Sequence, residues 1–268
     1  MYKIEGNGLK GFKIIVKVLL GDDPMSETHL NDLKYRLMTI DLLRTAKRNY
    51  TYRELSIQTG LPVTVLSRYV KGHVLPTSSR ARKIWKSLEK IVGLEEELRR
   101  RIKFDTNGYF DNTSIISDPT LLQQAAQYVF SKFAGRRITK ILTAAVDGIP
   151  LATIISEVLG VDLVIAKKNK EVGVRDFIEE TFVPGGSGMV TSLYLPRGLI
   201  KRSDSVLIVD DVIKSGETPK ALVRLIKKAR AEVAGIYALI SIGNRWKEKL
   251  RDLQALPIEV VLNLRPSK

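Results

Sequence analysis

Val206-Leu207-Ile208-Val209-Asp210-Asp211-Val212-Ile213-Lys214-Ser215-Gly216-Glu217-Thr218 is the stretch from which the fold can be read. Val206 to Val209 are apolar without a break, and Val212-Ile213 resume the run after two carboxylates. A continuous branched apolar run predicts a strand buried on both faces, as in a parallel sheet. A short turn of small and polar residues follows, Lys214 to Thr218, and a helical pattern runs from Pro219 to Ala229. Strand, acid pair, small-residue turn and helix start supply the groups that a ribose 5-phosphate needs. Carboxylates accept hydrogen bonds from two ribose hydroxyls, and backbone N–H groups at a helix start hold a phosphate dianion. Gly216 lets the backbone approach closely.

Working outward, residues 104–268 alternate strand and helix. Ser117-Asp118-Pro119 starts a helix to about Phe133, with proline in the first turn. Ile138 to Ala144 reads as a strand, Ala145-Val146-Asp147-Gly148 as a turn and Ile149 to Leu159 as a helix. Val161 to Ala166 is the next strand, followed by a long glycine-rich, charged stretch from Lys167 to Gly188 and a strand from Met189 to Leu195. Val206, Val233 and Ile258 begin the later strands. Such alternation implies a parallel sheet with right-handed crossovers, whose ligands bind at the carboxyl ends of the strands. Asp147-Gly148 and Asp210-Asp211 both lie at such ends.

The thirteen residues quoted first resemble the PRPP signature of the type I phosphoribosyltransferase family. ILTAAVDGIPLAT, residues 141–153, is similar to that family's strand, pyrophosphate loop and helix. The resemblance makes Asp210 and Asp211 the ribose ligands, and Lys214, Ser215, Gly216, Glu217 and Thr218 the 5-phosphate loop. Ala145, Val146, Asp147 and Gly148 become the pyrophosphate loop. Lys167 and Lys168 fall where the orotate and purine-repressor branches carry a basic pair, and residues 170–188 correspond to the flexible hood. The implied ligand is PRPP or a nucleoside monophosphate, with Mg²⁺ accompanying PRPP.

Charge directs attention to the other end of the chain. The net charge is +15, and between Lys34 and Lys90 thirteen Lys or Arg stand against Asp41, Glu54 and Glu89. A basic block inside a patterned segment suggests a polyanion partner, most simply nucleic acid. Leu33, Leu37, Met38, Ile40 and Leu43 recur at helical spacing from Leu30 to about Lys47. Thr51-Tyr52-Arg53-Glu54 fits a capping box, Gly60 supplies a left-handed stop, and Pro62 opens a third helix that ends near Gly72. Two short helices across a glycine turn make a helix-turn-helix unit.

The segment YRELSIQTGLPVTVLSRYVKG, residues 52–72, resembles the Cro/repressor type of that unit. In such folds the second helix enters the major groove by its N-terminal part. The resemblance brings Val63, Thr64, Ser67 and Arg68 to bases or nearby phosphates. Thr51, Arg53, Lys71, Arg80 and Arg82, from the same basic block, are expected to contact DNA as well, and Leu61, Leu66 and Tyr69 are expected to pack inward. Trp85 and Leu88 read as core. Glu95 to Lys103 reads as a solvated helix that links the domains or lies at a dimer contact. The expected division is a 1–24 extension, a 25–103 DNA-binding domain and a 104–268 phosphoribosyltransferase-like domain. The fold class is α/β: an N-terminal all-α helix-turn-helix domain plus a C-terminal type I phosphoribosyltransferase fold, a parallel sheet flanked by helices.

Composition excludes other chemistries. The chain has no cysteine, so it has no thiolate nucleophile and no disulfide framework. His29 and His73 are too few and too isolated for a zinc cluster, so no metal-ligating residues are assigned. No apolar run approaches the ~20 residues of a membrane span, and a cytoplasmic protein is expected. No catalytic residue is assigned either. The resemblance places an Asp at the Lys214 position in the 6-oxopurine enzymes, where it handles the proton on the base, and a protonated lysine cannot do so. The adenine and orotate branches use other groups. A ligand-binding domain fused to a DNA reader implies a sensor, with a working adenine- or orotate-type phosphoribosyltransferase carrying a basic appendage as the alternative. The family members nearest in architecture couple an N-terminal DNA-binding domain to a phosphoribosyltransferase-like domain. They are the purine repressors, which carry a winged helix, and an archaeal orotate-phosphoribosyltransferase-like group, which is closer. Two helix-turn-helix units reading one face of double-stranded DNA need half-sites about one helical turn apart, so a homodimer on an inverted-repeat operator is expected.

Overall fold

In a computed structural model the described residues are 24–88, 93–105, 110–184, 188–253 and 255–264. Residues 1–23 of the expected extension, and Glu89 and Lys90 of the basic block, lie outside them. The chain divides between Gly93 and Leu94 into two compact units. Among the described residues no helix is long and apolar enough to cross a membrane.

The first unit consists of helices α1 (Pro24–Asn49), α2 (Tyr52–Thr59), α3 (Val63–Val70) and α4 (Ser78–Leu88). Thr51 caps α2 through a complete capping box: Glu54 N–H donates to the Thr51 hydroxyl, and the Thr51 backbone N–H donates to the Glu54 carboxylate at 2.6 Å. The Thr51 backbone N–H, and then its hydroxyl, donate to the Glu54 carboxyl and hold it below its ordinary range. Gly60 ends α2 at φ 67°, the left-handed region where a side chain would strain the backbone. Leu43, Ala46, Leu55, Leu66, Tyr69, Ile84 and Leu88 form the core, with Leu61 and Trp85 packed at its margin. The three short helices are thus stabilised by burying one stripe each in this shared core rather than by their own length.

The second unit begins at α5 (Leu94–Arg101) and continues through β1 (Lys103–Phe104), β2 (Phe110–Asp111), α6 (Thr113–Ile116) and α7 (Pro119–Lys132). Then come β3 (Lys140–Ala144), α8 (Ile149–Leu159), β4 (Asp162–Ala166), β5 (Phe177–Phe182) and β6 (Thr191–Pro196). Last among the described elements come β7 (Ser205–Ile213), α9 (Glu217–Lys228), β8 (Glu232–Ile242), α10 (Arg245–Lys249) and β9 (Ile258–Leu264). Five strands form one parallel sheet in the order β4-β3-β7-β8-β9. Side chains of β7 alternate between the two cores, Val206 and Ile208 on one face and Leu207 and Val209 on the other. The chain leaves β3 for β4 on one side and returns as β7 on the other, so the strand order reverses between β3 and β7. Loops diverge at such a point and leave a crevice at the carboxyl ends of the strands.

Two expectations are corrected. The helix at 94–101 was expected in the N-terminal domain, but it belongs to the second unit because Leu94 and Leu98 are buried in the core around α7 and α8. The stretch 170–188 was expected as a flexible hood loop, yet it contains β5, paired antiparallel with β6. Its inward positions are Ile178 and Glu180, and the charged Glu180 masks the alternation. Glu180 tolerates burial because Arg224 and Lys228 reach it at 2.9 and 2.7 Å. Burial would raise its carboxyl, but these two cations bring it below the usual range.

Candidate functional site

The two strand ends at the crevice meet through Gly148. A Cβ there would stand 2.4 Å from the Thr143 hydroxyl oxygen and 3.2 Å from Asp210 Oδ1, so only glycine lets the loop after β3 close against the end of β7. The Ala145–Val146 peptide within that loop is cis. Asp210 and Asp211 are both buried. The Asp211 N–H donates to Asp210 Oδ1 at 3.1 Å, and the Asn112 amide donates to Asp211 Oδ2. Burial, then the neighbouring Asp211 charge, push the Asp210 carboxyl well above its ordinary range.

Two helices start at this place without a side-chain cap, α8 at Gly148 and α9 at Gly216. Gly216 is left-handed at φ 89°, and a Cβ there would lie 3.1 Å from the Trp246 Cα. The uncapped N–H groups and the helix dipoles make both starts favourable for anions.

A cleft of about 400 Å³ collects Ala145, Val146, Asp147, Gly148, Lys168, Asp210, Asp211, Lys214 and Thr218. Ser215 and Gly216 line a second cleft of about 550 Å³, to which Lys214 and Thr218 also contribute. Two residues named from sequence point elsewhere. Lys167 pairs with Glu171, and its backbone bridges to Tyr194. Glu217 pairs with Lys249 at 3.5 Å. Sequence reading missed Phe110, Asn112, Phe182 and Leu193 in the first cleft, and Asn244 and Arg245 in the second. Asn112 is 99 residues from the carboxylate it meets, and nothing local in the sequence marks it.

In the first unit, Arg53, Val63, Thr64, Arg68, Lys71, Arg80 and Arg82 are all exposed, and Ser67 is half-buried. Leu66 and Tyr69 turn inward, and Leu61 packs at the edge of the core. Thr51 is exposed, but its hydroxyl is engaged by Glu54 at 2.8 Å. Arg80 donates to the Tyr69 hydroxyl at 3.4 Å.

Residues 114–259 match the phosphoribosyl transferase domain family. The chain is 26% identical over 169 residues to the probable purine biosynthesis transcriptional regulator PurR of Streptococcus pneumoniae, covering 63% of this chain and 62% of that protein. It is 33% identical over 133 residues to the purine biosynthesis transcriptional repressor PurR of Bacillus subtilis, which is 50% of this chain and 47% of the repressor. The chain therefore spans less than two thirds of the length of these regulators. A xanthine phosphoribosyltransferase of Ectopseudomonas mendocina is 35% identical over 53% of this chain and 75% of its own. Among solved structures, adenine phosphoribosyltransferase from Rhodothermus marinus superposes with a TM-score of 0.56 at 26% identity, covering 65% of this chain and 99% of that one.

Proposed function

The chain belongs to the phosphoribosyl transferase domain family, and from that premise we propose that it is a DNA-binding transcription regulator whose second unit senses PRPP or a purine nucleotide. The observation that carries the sensing half is the pair of buried carboxylates, Asp210 and Asp211, set between two uncapped helix starts. The carboxylates accept from the ribose hydroxyls. The turn from Lys214 to Thr218 holds the 5-phosphate, and Ala145 to Gly148 face the pyrophosphate. PRPP would bring its own Mg²⁺. A nucleoside monophosphate needs no metal. The DNA-binding half is supported by the exposed basic and polar face of α3 and its surroundings, and by the regulators the chain resembles. A homodimer on an inverted repeat follows from the pairing of two such units across half-sites about one helical turn apart.

The similarity to a xanthine phosphoribosyltransferase supports a second reading, a working enzyme. Lys214, where the 6-oxopurine enzymes are expected to carry an acid, weighs against it. One experiment separates the two. The full chain is assayed with PRPP, AMP, GMP, UMP and free bases, by thermal shift, by promoter-DNA affinity and for pyrophosphate release. A regulator melts higher with PRPP or a nucleotide and changes its DNA affinity. Release of pyrophosphate at turnover rates above ~1 s⁻¹ replaces the sensor with the enzyme.

A further inference from the structure

We propose that α3 reads thymine: Val63 and Thr64 take up thymine 5-methyl groups in the major groove, and Arg68 meets a guanine about two base pairs further on. The inference rests on the DNA-binding reading above and adds which bases are recognised.

The rotation of α3 about its axis is set by Leu66 and Tyr69, which are 0% and 4% exposed. With those two turned inward, Val63, Thr64, Arg68 and Lys71 face outward. Val63 is an apolar side chain 39% exposed in the leading turn, where the first unit offers it no further cover. The thymine methyl is the one apolar feature of a base edge in the major groove, and branched or methyl-bearing side chains are its partners. The helix VTVLSRYV contains no Asn or Gln to bracket adenine and no Asp or Glu to accept from cytosine. Its one guanidinium is Arg68, which has no ion pair among the described residues, whereas Arg44 is held by Asp41 at 3.1 Å. Arginine brackets the O6 and N7 of guanine. Five residues of helix rise about 7.5 Å, close to two base-pair steps of roughly 3.4 Å each.

The full chain is first used to select duplexes from a random pool. Each thymine of the enriched half-site is then replaced by uracil, which removes the methyl and nothing else. Affinity should fall about four-fold per buried methyl. V63S and T64S alter exposed positions and should melt with the parent, and each should bind thymine and uracil duplexes equally at the position it contacts. Enriched duplexes indifferent to uracil, or variants that keep the full uracil penalty, overturn the inference and leave DNA binding standing. A pool that yields no enriched sequence, together with no salt-dependent affinity, overturns the DNA-binding reading itself.

Discussion

Asp210 is the residue at which the cost of the site is concentrated. Its carboxyl is buried beside a second acid and close under Gly148, and it has no ion pair among the described residues. A group whose folded pKa lies above its unfolded value binds a proton more tightly in the folded state. The stability it contributes is complete below the ordinary value near 3.8, and it is lost as pH rises through the raised folded value. The ligand-free protein should therefore lose stability as pH rises through that window. Asp210→Asn keeps the shape, removes the titration and should flatten the slope. At pH 8 the variant should be more stable than the parent by on the order of 1 kcal/mol, the scale of an unpaired buried polar group. It should also bind PRPP more weakly, since an amide lacks the charge that a ribose hydroxyl donates to. Urea denaturation at pH 5 and pH 8 checks this, and parallel pH profiles for the two proteins would refute it.

Among the elements, the turn that joins β7 to α9 is the most constrained. Gly216 is left-handed, and a Cβ there would lie 3.1 Å from the Trp246 Cα of α10, so a side chain would be strained by the dihedral and would crowd its neighbour. Gly216→Ala should destabilise the second unit by ~2–4 kcal/mol, from left-handed strain and overpacking together, and should remove phosphate binding. Calorimetry with and without PRPP measures both effects; a variant that melts with the parent and responds to ligand would show that the turn is not the phosphate seat. The same element was the most legible in the sequence. Val206 to Val209 had to be buried on both faces, and two acids at the end of such a strand have few structural uses. Helices α8 and α9 were equally plain, because Gly148 and Gly216 mark their starts. The strand β5 was not legible, because its inward Glu180 is neutralised by Arg224 and Lys228, more than forty residues away in sequence. Helix α5 was placed in the wrong unit for a related reason. Its three acids and three arginines dominate the reading, while the two leucines that decide where it packs have distant partners. Asn112, Asn244 and Arg245 reach the clefts through the topology alone, so no local pattern could have named them.

At the scale of the whole molecule, charge and chemistry are divided between the units. Ten of the fifteen net positive charges fall between Lys34 and Lys90, while the acid pair and the turn that follows it lie beyond residue 200. A regulator built this way works only if the two sites are energetically coupled, and coupling is reciprocal. Whatever factor PRPP applies to DNA affinity, operator DNA must apply to PRPP affinity. The expected factor is between about 5 and 150, the usual range for coupled sites. Salt must be held fixed in both titrations, because phosphate contacts make DNA affinity fall steeply with ionic strength. Two titrations of the full chain measure the factor, DNA with and without PRPP, and PRPP with and without DNA. The double variant D210A/D211A should bring both factors to one while leaving salt-dependent DNA affinity in place, because an effector shifts an equilibrium only by its differential affinity for two states. If that variant still answers to PRPP as the parent does, the effector binds elsewhere. If the parent shows equal DNA affinity with and without PRPP, nucleotides and bases, the second unit is not a sensor of these ligands, and the buried carboxylates need another explanation.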